Sequence, residues 1–303
     1  KDKEILAIIA AFSIGDKELL SKEKKIKSAY SQTGIIHILA ISGLHIGILY
    51  FLIQFVAAKL FFFLSNFHPI KEIFSIFLLW IFAFVSGLSP SIQRSATMFS
   101  IFSFSKILNK KTTAYDSLLI SFFILTLINP ITIFDIGFQL SYLAIGGILF
   151  FSKKIENFFT FKNKFIYKIW KLSTVTIAAQ IATLPLILNY FKIFPTYFLI
   201  SNLIVIPLCS IILYLSIFLI LFSKISFISI FLSKLLTFIL KQLNTLIFFI
   251  QNLPFNIIPI KFDNIESILF SFFIFFIFFK KKFEYKFISL ISFILFFLYQ
   301  IFQ

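Results

Sequence analysis

Two histidines lie in a segment that is otherwise apolar enough for the interior of a membrane. His37 and His45 belong to the stretch GIIHILAISGLHIGIL of residues 34–49. On a straight helix, Gly43 and Gly47 share one face and the histidines lie on its flank, about 80° apart. Glycines let a second helix approach closely. The histidines are therefore either neutral packing residues or polar groups beside a hydrated path.

The spacing of these histidines does not favour a metal site. Ligands on one helical face are usually four residues apart, as in HExxH, and the sequence has no such motif. The only other histidine is His68, and the single cysteine, Cys209, excludes a disulfide within the chain. We therefore expect neither a metal nor a cofactor.

Arg94 is the single arginine among 28 basic residues, and it lies in the stretch VSGLSPSIQRSATM of residues 85–98. Gly87 and Pro90 are expected to end one helix and begin the next, which places Arg94 near a helix start. A guanidinium group binds phosphate through two hydrogen bonds, so Arg94 is a candidate for anion recognition. The alternative is an arginine that reaches the membrane surface.

Four further polar side chains occupy apolar segments: Gln139, Ser141, Gln180 and Asn202. Asp135 is expected to cap the helix that carries Gln139 and Ser141. Prolines follow the other two amides, Pro185 after Gln180 and Pro207 after Asn202, and predict kinked or broken helices there.

Four further polar residues are spaced three, four and three residues apart: Lys234, Thr237, Lys241 and Asn244. This spacing is one face of a helix. The face is either the polar side of an amphipathic helix at the membrane surface or a wall of an aqueous path.

The elements that position these residues are membrane helices. The chain has 303 residues, is 60% hydrophobic and has a mean hydropathy of +1.02, values typical of a polytopic membrane protein. The sequence predicts an all-α bundle of about ten apolar segments: 35–64, 72–88, 92–108, 115–128, 137–151, 172–190, 197–222, 225–251, 265–279 and 287–302. Several are short enough to be half-helices inside the bundle. Residues 1–30 carry mixed charges and predict an interfacial segment ahead of a membrane domain at 31–303.

The distribution of lysine predicts the orientation. If the apolar segments all cross, most lysines fall in connections on one side, while Lys192 and Lys261 fall on the other. The lysine-rich side is then cytoplasmic and residues 1–30 are extracytoplasmic. The preference of cytoplasmic connections for lysine also explains the net charge of +16, so this charge is not evidence for binding of nucleic acid. Because the chain starts at Lys1 without a methionine, we expect a segment of a longer protein.

An ordered set of motifs resembles the membrane competence domain of the ComEC family: HILAISGLHIG, SGLSPSIQRSATM, GFQLSYLA and ATLPL followed by SNLIVIP. The resemblance covers about residues 15–210. It implies a bacterial inner-membrane channel of natural transformation, which passes one DNA strand from periplasm to cytoplasm. The matching positions are His37, Ser42, Gly43, His45, Gly47, Arg94, Gln139, Ser141, Gln180, Pro185 and Asn202. Many relatives carry an OB-type domain ahead of the membrane domain and a metallo-β-lactamase-like domain after it. This segment shows neither, so we expect any nuclease step in residues outside it or in another protein.

The expected site has two groups of residues. Polar lining of a DNA path is expected from His37, Ser42, His45, Arg94, Gln139, Ser141, Gln180, Asn202, Lys234 and Lys241. Helix packing or interruption is expected at Gly43, Gly47, Gly87, Pro90, Pro185 and Pro207. We expect no catalytic residue.

The expected partners are single-stranded DNA, membrane lipid, a periplasmic DNA-binding protein and a cytoplasmic helicase or ATPase motor. The motor is a separate protein because the chain has no GxxxxGK[ST] loop. Two alternatives stay open. One is a membrane-embedded enzyme with His37 or His45 as base and Arg94 as phosphate clamp. The other is a secondary transporter of a small anion.

Overall fold

The computed structural model describes residue 9 and residues 23–39, 42–61 and 68–278. The predicted apolar segment 287–302, most of residues 1–30 and the side chain of His68 lie outside the described residues.

The described chain is almost entirely helical, which confirms the predicted all-α class. The helices are α1 (Lys24–Gln32), α2 (Gly43–Leu60), α3 (His68–Val85), α4 (Pro90–Ile107), α5 (Ala114–Ile128), α6 (Ile136–Glu156), α7 (Lys164–Phe191), α8 (Phe198–Leu221), α9 (Ser226–Gln251) and α10 (Asn264–Phe278). Short 3₁₀ turns cover Ile36–Ile38 and Pro130–Phe134, and two three-residue strands are β1 (Ile193–Pro195) and β2 (Ile257–Pro259).

Five of the described helices are long and apolar enough to cross a membrane: α2, α6, α7, α8 and α9. Their outward faces are rich in exposed phenylalanine, isoleucine and leucine. Large apolar side chains at such density favour lipid as their surroundings. The predicted multi-pass membrane protein is therefore supported by the structure.

The structure corrects the predicted segment 35–64, which is not one helix. Gly34 has a φ of +77°, and the amide of Ile35 donates to the carbonyl of Tyr30 at 2.9 Å, which ends α1. After the 3₁₀ turn, Ser42 is extended, with φ −101° and ψ 171°, and α2 begins at Gly43. Ser42 is the N-cap of α2, a position at which serine is preferred.

The predicted interruption around Gly87 and Pro90 is confirmed. Gly87 has a φ of +79° between α3 and α4, and Pro90 is the first residue of α4. At the other two prolines the structure excludes the broken alternative, because Pro185 lies inside α7 and Pro207 inside α8, and the kinked alternative stays a prediction. Prolines are tolerated inside membrane helices where neighbouring groups satisfy the freed backbone. Ser267 of α10 donates to the carbonyl of Pro185 at 3.2 Å, which joins α10 to α7 at this proline.

The chain divides into two compact units. The first unit comprises residues 1–142 and 200–256. One of its apolar clusters joins α1, α8 and α9 through residues such as Ile26, Val205 and Leu240. Another joins α2, α3 and α4 through residues such as Ile46 and Leu79. Because α1 runs through residue 30, the predicted domain boundary there falls inside a helix, and the division into domains stays a prediction.

The second unit comprises residues 143–199 and 257–303. The part of α6 within this unit packs against α7 through Phe151, Ile155 and Ala178. The strands β1 and β2 pair antiparallel, with Phe194 opposite Ile258. Ser267 of α10 is buried against α7.

Candidate functional site

Arg94 lies in the first turns of α4 with only 4% of its surface exposed. Its Nε donates to the hydroxyl of Ser141 at 2.6 Å, and its Nη2 donates to the hydroxyl of Ser95 at 3.0 Å. Nη1 faces the sulfur of Met98 at 3.3 Å, and the guanidinium carbon lies 5.9 Å from the ring centroid of Tyr142. These contacts fix the plane of the guanidinium.

All four contacts of Arg94 are with uncharged groups. Within the described part of the chain, Arg94 makes no ion pair. Burying a cation costs several kcal/mol unless it is paired, and the ring of Tyr142 offsets about 0.5–2 kcal/mol of that cost. A buried guanidinium with neutral partners is electrostatically suited to receive an anion.

The start of α2 adds a second positive feature beside Arg94. A Cβ atom on Gly43 would lie 2.5 Å from Nη2 of Arg94 and 2.7 Å from the Ser95 hydroxyl, so only glycine fits this approach. Gly43 is the first residue of α2. Helix N-termini carry partial positive charge and bind anions. The guanidinium and the start of α2 therefore both favour an anionic ligand.

His45 stabilises the start of α2. Its Nδ1 accepts a hydrogen bond from the backbone amide of Ser42 at 3.2 Å and lies 3.0 Å from the Ser42 hydroxyl. An Nδ1 that accepts from a backbone amide belongs to a neutral ring with its proton on Nε2. The His45 side chain is fully buried. In this structure His45 acts as a capping residue for the helix that approaches Arg94.

A row of contacts continues from Arg94 along the interface of α2 and α4. Gly47 lies next to Phe99, and the rings of Tyr50 and Phe99 are stacked with centroids 4.6 Å apart. The hydroxyl of Tyr50 pairs with that of Ser103 at 2.8 Å. Contacts advance together along both helices, so α2 and α4 are parallel. We call these contacts the α2–α4 seam.

An ion pair between a partly exposed lysine and a buried carboxylate lies at the opposite end of the seam from Arg94. The ammonium of Lys106 is 3.4 Å from a carboxylate oxygen of Glu72, whose other oxygen accepts from Gln54 at 2.8 Å. Lys106 also reaches the hydroxyl of Tyr50 at 3.5 Å. Glu72 and Gln54 were not predicted from the sequence, although a carboxylate and an amide within apolar segments are a signal for buried polar contacts.

The structure brings six of the predicted residues together at the Arg94 end of the seam: Ser42, Gly43, His45, Gly47, Arg94 and Ser141. His37 lies in the 3₁₀ turn with an exposed side chain. Gln139 instead donates to the carbonyl of Ile133 at 2.9 Å. Asp135 accepts from the amide of Phe138 at 2.9 Å, which confirms the predicted cap of α6.

The remaining amides make no hydrogen bond with Arg94. Nε2 of Gln180 in the second unit and Oδ1 of Asn202 in the first are buried and lack hydrogen-bond partners among the described residues. Lys234 and Lys241 are exposed on α9. Asn244, the last member of the predicted polar face, is buried and accepts from the Tyr30 hydroxyl at 2.9 Å, so it packs within the first unit.

A cleft in the second unit involves none of the predicted residues. Asn189, Lys192, Phe262, Asp263, Asn264 and Ile265 line it. Asn189 donates to Asn264 across it at 3.1 Å. Among the residues searched, no group of three or more histidine, cysteine or acidic side chains could hold a metal ion.

Comparison with known proteins places the chain in a family. The model of a family described as Competence protein matches residues 12–284, which include the whole α2–α4 seam. The chain belongs to the Competence protein family. The resemblance stated from the sequence motifs is thereby confirmed.

A curated relative gives the same assignment. The chain is similar to ComE operon protein 3 of Bacillus subtilis (strain 168), with 28% identity over 203 residues. The similarity covers 66% of this chain but only 24% of that relative, so the chain spans about a quarter of the relative's length. No solved structure matches the chain.

Proposed function

We propose that this chain forms the membrane path of a channel that carries single-stranded DNA from the periplasm to the cytoplasm during natural transformation. Membership of the Competence protein family supports a role in DNA uptake. The single observation that carries the proposal is the buried guanidinium of Arg94, which has only neutral partners in the described structure.

A DNA strand carries one negative charge per nucleotide, which makes its passage through hydrocarbon prohibitive. A bare ion in a low-dielectric medium faces a Born cost of tens of kcal/mol. A translocation path therefore needs water, polar groups and a positive potential, but no site strong enough to stall the polymer. Arg94 supplies the charge, and Ser95 and Ser141 supply hydroxyl groups that can also hydrogen-bond to phosphate.

The neutral partners of Arg94 suit transient binding. The guanidinium leaves no carboxylate behind when it turns to a phosphate, because Ser141 and Met98 are uncharged. In this structure Gly43 lies against the guanidinium, so the seam is closed. Entry of a phosphodiester then requires α2 to separate from α4 at Gly43, where the smallest side chain makes separation and closure easiest.

Aromatic rings beside the seam favour a single strand over a duplex. Tyr142 lies over the guanidinium of Arg94, and the stacked rings of Tyr50 and Phe99 follow along the seam. Unpaired bases stack on aromatic side chains with about 1–3 kcal/mol per base. A duplex hides its base faces and is wider than a single-chain bundle can admit.

The orientation and partners belong to the same proposal. In this proposal Arg94 lies at the extracytoplasmic end of the seam and Lys106 at the cytoplasmic end, an orientation that the lysine distribution supports if the predicted segments all cross. A periplasmic DNA-binding protein then delivers the strand, and a cytoplasmic helicase or ATPase motor pulls it. The chain acts as a conduit in the inner membrane and not as an enzyme.

The test is DNA uptake in the bacterium that encodes the protein. Arg94→Gln should lower entry of labelled DNA into the cytoplasm by roughly 100-fold, the loss expected for a charge-assisted phosphate contact of ~3 kcal/mol. Arg94→Lys should retain part of the entry. Protein abundance and DNA capture in the periplasm should not change. Lys59→Gln, a charge removed from an exposed position, is the matched control.

Two results would contradict the proposal. The first is normal DNA entry in the Arg94→Gln strain. The second is hydrolysis or transfer of a phosphorylated lipid by the purified chain, abolished by Arg94→Gln, which would favour the membrane-embedded enzyme.

A further inference from the structure

Residues 153–171, from the last turn of α6 through the connection to the first turns of α7, form a basic and aromatic surface within the second unit. Six lysines lie in this range: Lys153, Lys154, Lys162, Lys164, Lys168 and Lys171. The acidic residue among them is Glu156. Exposed rings alternate with the lysines, including Phe158, Phe159 and Phe165. The surface therefore combines positive charge with exposed apolar area.

This connection is held in a defined conformation. The indole nitrogen of Trp170 donates to the backbone carbonyl of Glu156 at 3.1 Å. Phe159 packs edge-on against Trp170, with centroids 5.2 Å apart, and the hydroxyl of Tyr167 donates to the Glu156 carboxylate. The carboxylate is thus engaged by a tyrosine. Lys164, Lys168 and Lys171 make no ion pair with any described residue.

The length of α7 places its first two turns at the edge of the membrane. The helix has 28 residues, which at 1.5 Å per residue is about 42 Å, whereas the hydrocarbon core is about 30 Å thick. The surplus of about 12 Å corresponds to roughly eight residues. Since the other end of α7 is less basic, the surplus lies at 164–171, where lysines can reach the headgroups.

Two stripes run side by side along these turns. Lys164, Lys168 and Lys171 follow spacings of four and three and share one face. Phe165, Ile169 and Leu172 form the adjacent face, with exposures of 71%, 40% and 37%.

We propose that this end of α7 is a binding site for anionic phospholipid. The ammonium groups of Lys164, Lys168 and Lys171 contact the lipid phosphate, Phe165 and Ile169 lie at the depth of the headgroups, and the acyl chains begin at Leu172. Clusters of four to eight basic residues beside a membrane helix bind anionic lipid. A basic site at headgroup depth beside a membrane helix favours a lipid phosphate over a nucleic acid. The site fixes the depth of α7 in the bilayer and does not depend on the proposed DNA path.

The two tryptophans allow a direct test in the full chain. Trp80→Phe leaves Trp170 as the single fluorophore, beside the proposed site. The chain is reconstituted in phosphatidylcholine bilayers that contain brominated phosphatidylglycerol or, separately, brominated phosphatidylcholine. Brominated phosphatidylglycerol should quench Trp170 with a relative affinity about fivefold higher. In the Trp170→Phe chain, Trp80 should be quenched equally by both lipids.

Matched charge variants separate this site from general attraction. In the Trp80→Phe chain, the added changes K164Q, K168Q and K171Q should remove the preference for phosphatidylglycerol. K59Q, K110Q and K111Q remove three charges from exposed positions elsewhere and should preserve it. Equal quenching of Trp170 by both lipids would overturn the proposal. So would a preference that survives the first triple variant, or displacement of the lipid by a thymidine oligonucleotide, which would assign the surface to nucleic acid.

Discussion

Gly43 at the start of α2 lies directly against the guanidinium of Arg94 in α4, so closely that a methyl group would be 2.5 Å from Nη2. The atoms that a methyl group would meet are the ends of two side chains, Arg94 and Ser95. Gly43→Ala should therefore displace the guanidinium without unfolding the helix pair. We expect DNA entry to fall about tenfold, the equivalent of one lost hydrogen bond of ~1.4 kcal/mol, at unchanged protein abundance.

Gly47→Ala is the control for this prediction. A Cβ atom at Gly47 would lie 3.4 Å from the ring of Phe99, an ordinary contact, so uptake should be retained. Equal loss in both variants would indicate general disturbance of the seam and contradict a specific role for the contact between Gly43 and Arg94.

The ion pair between Lys106 and Glu72 predicts an asymmetric pair of variants. The Glu72 side chain is 1% exposed, whereas that of Lys106 is 34% exposed. Lys106→Met leaves a buried, unpaired carboxylate and should lower the free energy of unfolding by about 3–5 kcal/mol. Glu72→Gln leaves an ammonium that can turn to water and should cost about 1 kcal/mol or less. Chemical unfolding in detergent micelles measures both.

The double variant checks the origin of this asymmetry. Lys106→Met combined with Glu72→Gln removes both charges, so its stability should exceed that of Lys106→Met alone. Additive losses in the double variant would mean that the two side chains do not stabilise each other.

Gly147 predicts a stability effect in the second unit. A Cβ atom there would meet the Cβ of Ala182 and lie 2.8 Å from the carbonyl oxygen of Ala178 in α7. Because backbone atoms cannot move aside as side-chain ends do, Gly147→Ala should force α6 and α7 apart. We expect a loss of about 1–3 kcal/mol in detergent unfolding. A stability equal to that of Gly47→Ala would contradict this packing.

The hydrogen bond from Tyr30 to Asn244 joins α1 to α9 across 214 residues of sequence. Tyr30→Phe leaves the buried amide oxygen of Asn244 without this donor and should lower stability by about 1–2 kcal/mol. Tyr190→Phe, at a position 44% exposed, is the control and should have little effect. Equal stabilities of the two variants, measured by thermal unfolding in detergent, would contradict the role of the bond.

Much of the fold was predictable because local signals agree with it. The apolar segments predicted most of the described helices. Gly87 and Pro90 correctly predicted the start of α4. At Pro185 and Pro207 the sequence left a kink or a break open, and the structure continues the helix through both prolines. Whether a helix continues through a proline depends on what neighbouring groups offer its backbone, which is not a local property.

The candidate site was predictable in its parts but not in its assembly. A single arginine in an apolar chain identified Arg94, and motif resemblance identified Ser141. The contact between Arg94 and Gly43 was not visible, because it depends on α2 and α4 being parallel neighbours. Glu72 was missed because its burial arises only when α2, α3 and α4 pack together.

The sequence by itself determined the class of protein and its family. The apolar composition requires lipid around the helices, which determines the class. The family is recognised from motifs in a fixed order along the chain, and that order does not depend on how the helices pack. Only the tertiary structure decided which polar groups meet: Ser141 and Gly43 reach Arg94, while Gln139 turns back to the carbonyl of Ile133. The physical reason is that hydrogen bonds and van der Waals contacts act over a few ångströms, so partners distant in sequence are chosen by helix packing.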